Sequence, residues 1–149
     1  MVGRLSPAQI DAVLYQQSVC RIGCSANGKI FVVPISYAFD GKYLYCHSRE
    51  GLKIKLMRKN QNVCVEVDAI DNMMNWRSVI LWGIYQELKS EPSRRNGMKI
   101  LMNKFMPLMT SESLGHMDAA QSPEIVEKHQ QAIVFRIKVE DKTGMYEKG

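Results

Sequence analysis

Tyr45-Cys46-His47-Ser48-Arg49-Glu50-Gly51-Leu52-Lys53 brings a phenol, a thiol, an imidazole and a hydroxyl to the end of a strand-like run, and a helical run follows at once. The first turn of a helix offers backbone N–H groups without intrahelical partners and the positive end of the macrodipole, so an anion is favoured there. Cations are unfavourable at that point unless an anion offsets them, yet Arg49 and Lys53 both flank it. The pattern fits a bound phosphate. It also fits a plain helix start in which Ser48 caps the helix and Lys53 is solvated.

Two other clusters carry polar or aromatic groups. Pro34 stands inside Phe31-Val32-Val33-Pro34-Ile35-Ser36-Tyr37, where it removes a donor from the strand ladder. An edge strand, a bulge or a backbone facing a ligand would each tolerate it, and Ser36 and Tyr37 add hydrogen-bonding groups beside it. Asn75-Trp76-Arg77-Ser78-Val79 opens a long strand-like run with an indole, a guanidinium and a hydroxyl. These can line a flat heteroaromatic ring, or Trp76 can simply plug the end of a barrel.

Other constellations are weaker. Cys20 and Cys24 have the look of a metal pair, but four residues of strand span about 13 Å, too far to share one ion. With Cys46 and Cys64 they read as buried thiols of a reducing compartment. Glu66 and Asp68 share one strand face, which suits an exposed face better than a glycosidase pair. His116 and His129 lack a matching nucleophile and read as solvent-exposed. There is no glycine-rich phosphate loop and no Ser-His-Asp pattern. No residue is assigned as catalytic. His47 is the best candidate for a substrate-side role, because imidazole titrates near neutral pH.

These groups need elements to hold them. Ser6-Pro7-Ala8-Gln9 is a capping box with proline at the first helical position, so a helix runs to about Gln17 with Ile10, Val13 and Leu14 on its apolar face. Strands follow over 19–25, 29–39 and 42–47, joined by tight turns at Asn27-Gly28 and Asp40-Gly41. In the third, Tyr43, Tyr45 and His47 face one way and Leu44 and Cys46 the other. A helix is expected over 48–59, a strand with Val63, Val65 and Val67 on its inner face, and a polar loop over 69–75. A strand over 77–88 has Gly83 where a barrel could bend. A helix over 91–105, a mixed segment over 106–122, a helical turn from Ser122-Pro123 and a last strand over 131–140 complete the chain. Six strands with helices at the edges predict a mainly β, α+β fold: one domain over 1–149, an antiparallel β-barrel that closes on itself.

The formal net charge of +5 favours anionic partners. No stretch has the apolar length of a membrane span, and the opening MVGRLSPAQI lacks a secretory core, so a cytoplasmic protein is expected. Single-stranded nucleic acid is a poor partner. Tyr43 and Tyr45 offer stacking surfaces, but the strongest basic cluster, Lys53 to Lys59, lies on a helix instead.

In order and spacing these segments resemble the pyridoxamine 5′-phosphate oxidase-like FMN-binding split-barrel family, in particular the branch of nitroimidazole-resistance-type flavoproteins. The likeness runs from about residue 4 to 145. It is carried by Arg21-Ile22-Gly23, Val33-Pro34-Ile35-Ser36-Tyr37, Tyr45-Cys46-His47-Ser48 with Gly51 and Lys53, Asn62 to Asp68, Trp76-Arg77-Ser78-Val79 with Gly83, and Phe135-Arg136-Ile137 to Thr143-Gly144. The resemblance implies a homodimer with FMN at its interface. Pro34, Ile35, Ser36 and Tyr37 would run beside the ring and ribityl chain. Cys46, His47 and Ser48 would border the phosphate side, and Lys53 would neutralise the phosphate. Trp76, Arg77, Ser78 and Val79 would approach the ring, where a cation offsets charge that builds on reduction.

Pyridoxamine phosphate oxidases proper carry a Trp- and Arg-containing C-terminal motif that Ile137 to Gly149 does not show, which argues against that substrate. The implied function is an FMN-dependent oxidoreductase passing electrons from a reduced nicotinamide to a small acceptor, a nitroaromatic or quinone. The alternative is a flavin- or heme-binding module without turnover.

Overall fold

The computed structural model describes residues 1–108 and 132–149. The expectations for the mixed segment beyond Leu108, the turn at Ser122-Pro123, and His116 and His129 fall outside the described residues. The elements are β1 (Val2–Arg4), α1 (Pro7–Gln16), β2 (Val19–Ala26), β3 (Lys29–Ser36), β4 (Ala38–Phe39), β5 (Tyr43–Ser48), α2 (Leu52–Lys59), β6 (Asn62–Asn72), β7 (Asn75–Glu87), α3 (Glu91–Phe105), a 3-10 turn (Met106–Leu108) and β8 (Ile133–Lys148).

All pairings are antiparallel, in the order β3-β2-β6-β7-β8-β5-β4, with β1 on β8. This bears out the mainly β, α+β class, with two corrections. There are eight strands rather than six among the described residues, and the hydrogen-bonded sheet is not closed. The 29–39 run changes partner instead: β3 pairs with β2, β4 pairs with β5, and buried Tyr37 turns the corner between them.

Local chemistry explains the elements. Ser6 Oγ accepts from Gln9 N–H at 3.3 Å while Gln9 Oε1 accepts from Ser6 N–H at 2.8 Å, the expected reciprocal cap of α1. Asn27 (φ 54°) and Gly28 (φ 79°) take the left-handed backbone that a two-residue hairpin requires. The expected loop over 69–75 is mostly strand: β6 runs to Asn72 past a register shift, and only Met73 and Met74 turn. Polar Asp71 and Asn72 suggested a loop, but they sit on exposed positions of a strand whose partner holds it. β8 outruns the expected 131–140 because the charged Glu140-Asp141-Lys142 run sits at a bulge and the strand goes on to pair with β7 and β1. That bulge lies opposite Gly83, where a Cβ would stand 2.3 Å from the Lys138 carbonyl oxygen, so the close approach requires glycine.

The interior is filled by period-two alternation: Cys20, Ile22 and Cys24, Val63, Val65 and Val67, Val79 and Leu81, Leu44 and Cys46, Phe135 and Ile137. α1 adds Ile10, Val13 and Leu14, and α2 adds Ile54, Leu56 and Met57. A smaller cluster beneath α3 joins Leu101 to Tyr45, Leu88 and Val134. Each fully buried side chain of this kind contributes about 1.5–3 kcal/mol.

Candidate functional site

α2 begins at Leu52, later than the expected Ser48, and Gly51 is its N-cap with no side-chain hydrogen bond to the first turn. Ser48 does not cap it; its hydroxyl donates to the Arg49 carbonyl at 2.9 Å. The first-turn N–H groups of α2 are therefore not covered by a side chain, and a Cβ placed on Gly51 would meet nothing within 4 Å. Lys53 is half-buried in that turn, and among the described residues no carboxylate pairs with it. Its charge reaches inward. Burial pushes the thiols of Cys24 and Cys46 above their ordinary range, while Lys53 works against both shifts.

β5 delivers the other groups at this end. His47 and Ser48 are half-buried and pair with Val134 and Ile133 at the start of β8. Cys46, between Tyr45 and His47, points the opposite way into the core, fully buried and in contact with Cys20. All four cysteines are free thiols.

On β3, Pro34 and Ser36 face outward and Ile35 packs toward the core. Tyr37 is fully buried, its hydroxyl donating to the Leu14 carbonyl at 2.7 Å, and burial followed by the nearby Cys20 and Cys46 raises its phenol above the usual range. Trp76 and Arg77 line a cavity of about 510 Å³ with Asp71, Tyr146 and Lys148, and the indole N–H donates to Glu147 Oε2 at 3.2 Å. Ser78 donates to Glu66 at 3.1 Å, and Val79 is buried in the core.

The structure therefore divides the sequence-predicted residues. Pro34, Ser36, Trp76, Arg77 and Ser78 present polar or ring surface on β3 and β7, while His47, Ser48 and Lys53 gather on β5 and α2. Tyr37, Cys46 and Val79 direct their side chains into the core. Trp76 pairs with Glu147 and His47 with Val134, positions separated by about 40 Å of strand along β8.

Sequence reasoning passed over one surface. Val32, Gly23, Cys64 and Trp82 stand in register across β3, β2, β6 and β7, and with Ile30 they line a mostly apolar groove of about 500 Å³. Val32 is 62% exposed and Ile30 80%. In the next row, Pro34, Arg21, Glu66 and Ile80 are in register, and Arg21 lies 3.2 Å from Asp68 and 3.7 Å from Glu66. The available signal was β3 itself: Ile30 to Ile35 is apolar on both faces, the pattern of a strand covered on both sides.

Compared with known families, residues 6–144 match the model of the pyridoxamine 5′-phosphate oxidase family. The chain belongs to that family. Among solved structures it is similar to an FAD-binding protein of Mesorhizobium loti, at 29% identity over 98% of both chains with a TM-score of 0.76. It shares its fold with a proposed 5-nitroimidazole antibiotic resistance protein of Bacteroides thetaiotaomicron, at 20% identity over 98% of this chain and 87% of that one, TM-score 0.74. A curated relative, an uncharacterized protein of Rhizobium meliloti, is 34% identical over 84 residues, 56% of each chain. The chain thus spans little more than half the length of that relative. No helix among the described residues is long and apolar enough to cross a membrane.

Proposed function

We propose that this protein binds a phosphorylated flavin, FMN, between two copies of itself and acts as an oxidoreductase. The observation that carries the reading is the uncapped start of α2, with open space over Gly51 and a half-buried Lys53 that no described carboxylate neutralises. Free N–H groups, a helix dipole and a cation converge there, which fits the phosphate of a flavin nucleotide. The FAD-binding description of the Mesorhizobium relative supports flavin as the class of ligand.

A bound flavin would supply hydride and electron transfer, chemistry that belongs to the cofactor. The chain's own residues bind and orient. Lys53 and the α2 amides hold the phosphate, His47 and Ser48 border it, and Pro34 and Ser36 form a wall beside the ring. Trp76 and Arg77 approach the ring edge, where the guanidinium favours negative charge. In one chain they lie far along β8 from His47. A second copy that supplies one of the two groups completes the site, and the apolar groove at Val32 and Trp82 is the surface that copy would cover. The acceptor is a small molecule, a nitroaromatic or quinone, with a reduced nicotinamide as donor.

Measuring affinity for FMN, FAD and riboflavin on the native chain and on Lys53→Ala tests the site. FMN binding should fall at least tenfold with riboflavin held within about twofold, since FMN carries a phosphate that riboflavin lacks. Equal losses for both ligands refute the phosphate assignment.

A further inference from the structure

The turn assigned to the phosphate contains a carboxylate that should repel it. Glu50 directly precedes Gly51, the N-cap of α2. Its charge is answered by Arg58, in the last turn of the same helix, whose Nη1 bonds to Glu50 Oε1. The same guanidinium grips Glu87 of β7 with two prongs, Nε to Oε1 at 2.8 Å and Nη2 to Oε2 at 3.1 Å. Glu87 Oε1 also accepts from the hydroxyl of Tyr85 at 2.8 Å, and Tyr85 is buried in the core. The chain of contacts runs from the turn through Arg58 to Glu87 and Tyr85, and so to the rigid sheet. A bidentate pair of this kind fixes orientation as well as charge.

We infer that Arg58 is a positioning residue for the phosphate site. It draws the Glu50 carboxylate away from the anion and ties the Glu50-Gly51 turn to β7, so that the α2 amides and Lys53 face the ligand. Arg58 does not touch the phosphate. It lies seven residues past the N-cap, about 10 Å along the helix. The inference rests on the flavin reading above.

The experiment compares affinities for FMN and riboflavin, by flavin fluorescence, in the native chain, Arg58→Met and Arg58→Met/Glu50→Gln. A released carboxylate beside the phosphate should cost about tenfold in FMN affinity and leave riboflavin within about twofold. Removing that carboxylate with Glu50→Gln should restore most of the FMN affinity. A purely structural role for Arg58 would lower both affinities alike and show no rescue, and either result overturns the inference. Should Arg58→Met fail to fold, Arg58→Gln removes the same charge with a polar side chain in its place and gives the same comparison. Native protein that retains neither flavin refutes the flavin reading itself. Inorganic phosphate, titrated by calorimetry on the same variants, then judges Arg58: selective weakening with rescue supports it, and unchanged binding overturns it.

Discussion

Tyr37→Phe separates a ligand-facing role from a core role for a residue that the family resemblance would set beside a flavin. In the structure the ring is fully buried and the hydroxyl donates to the Leu14 carbonyl at 2.7 Å. Leu14 lies in the last turns of α1, where carbonyls run out of intrahelical donors, so the phenol serves a group that has few other partners. Removing the hydroxyl loses one buried hydrogen bond and leaves that carbonyl dry, at a cost of about 1–3 kcal/mol. For a chain of this size, about 2 kcal/mol corresponds to a fall in Tm of about 4–8 °C. It also corresponds to a drop in the urea midpoint of about 1 M at a slope of about 2 kcal/mol/M. Thermal and urea unfolding followed by circular dichroism at one fixed protein concentration reads this, with FMN affinity measured in parallel. Destabilisation in that range with flavin affinity held within about twofold supports the core assignment. Unaltered stability together with weakened flavin binding would refute it and return Tyr37 to the site.

Two further outcomes follow from the outer face of the sheet. Val32→Glu puts a charge on the apolar groove without disturbing the core, so sedimentation should show a shift from dimer to monomer while the circular dichroism spectrum is kept; a native chain that is already monomeric at micromolar concentration would contradict the dimer. Glu66→Gln probes pH. Burial, and then Asp68, raise the Glu66 carboxyl above its ordinary value, against smaller opposing effects of Ser78 and Arg21. A raised folded value means the folded state holds the proton more tightly, so this share of stability is present below the unfolded value of about 4.3 and is lost as pH rises through the folded one. The variant lacks that loss and should gain in urea midpoint relative to the native chain between pH 4 and pH 7; a constant difference would contradict the shift.

The elements were legible where local chemistry decides them. Ser6 and Gln9 cap α1 as their spacing dictates, and Asn27-Gly28 closes its hairpin in left-handed backbone. Gly83 marks the bend, because only a residue without a Cβ admits the Lys138 carbonyl. What failed depended on partners distant in sequence. Ile70 and Asn72 become strand because β7 holds them, and charged 140–148 becomes strand because β7 and β1 pair with it. The site was half legible. The alternation that set Cys46 apart from His47 already implied that both side chains could not face one ligand, and the same period sends Tyr37 and Val79 into the core. The links among Arg58, Glu50 and Glu87 join α2 to β7, and nothing in their sequence spacing announces them.

The most direct test of the central claim is a visible absorption spectrum of the purified protein, taken before and after incubation with FMN and removal of the excess by desalting. The account predicts a flavin band that stays with the protein and is bleached on adding reduced nicotinamide under exclusion of air. A retained band that nicotinamide leaves unchanged would make it a flavin carrier. A colourless protein that retains neither FMN nor FAD would contradict the account at its base.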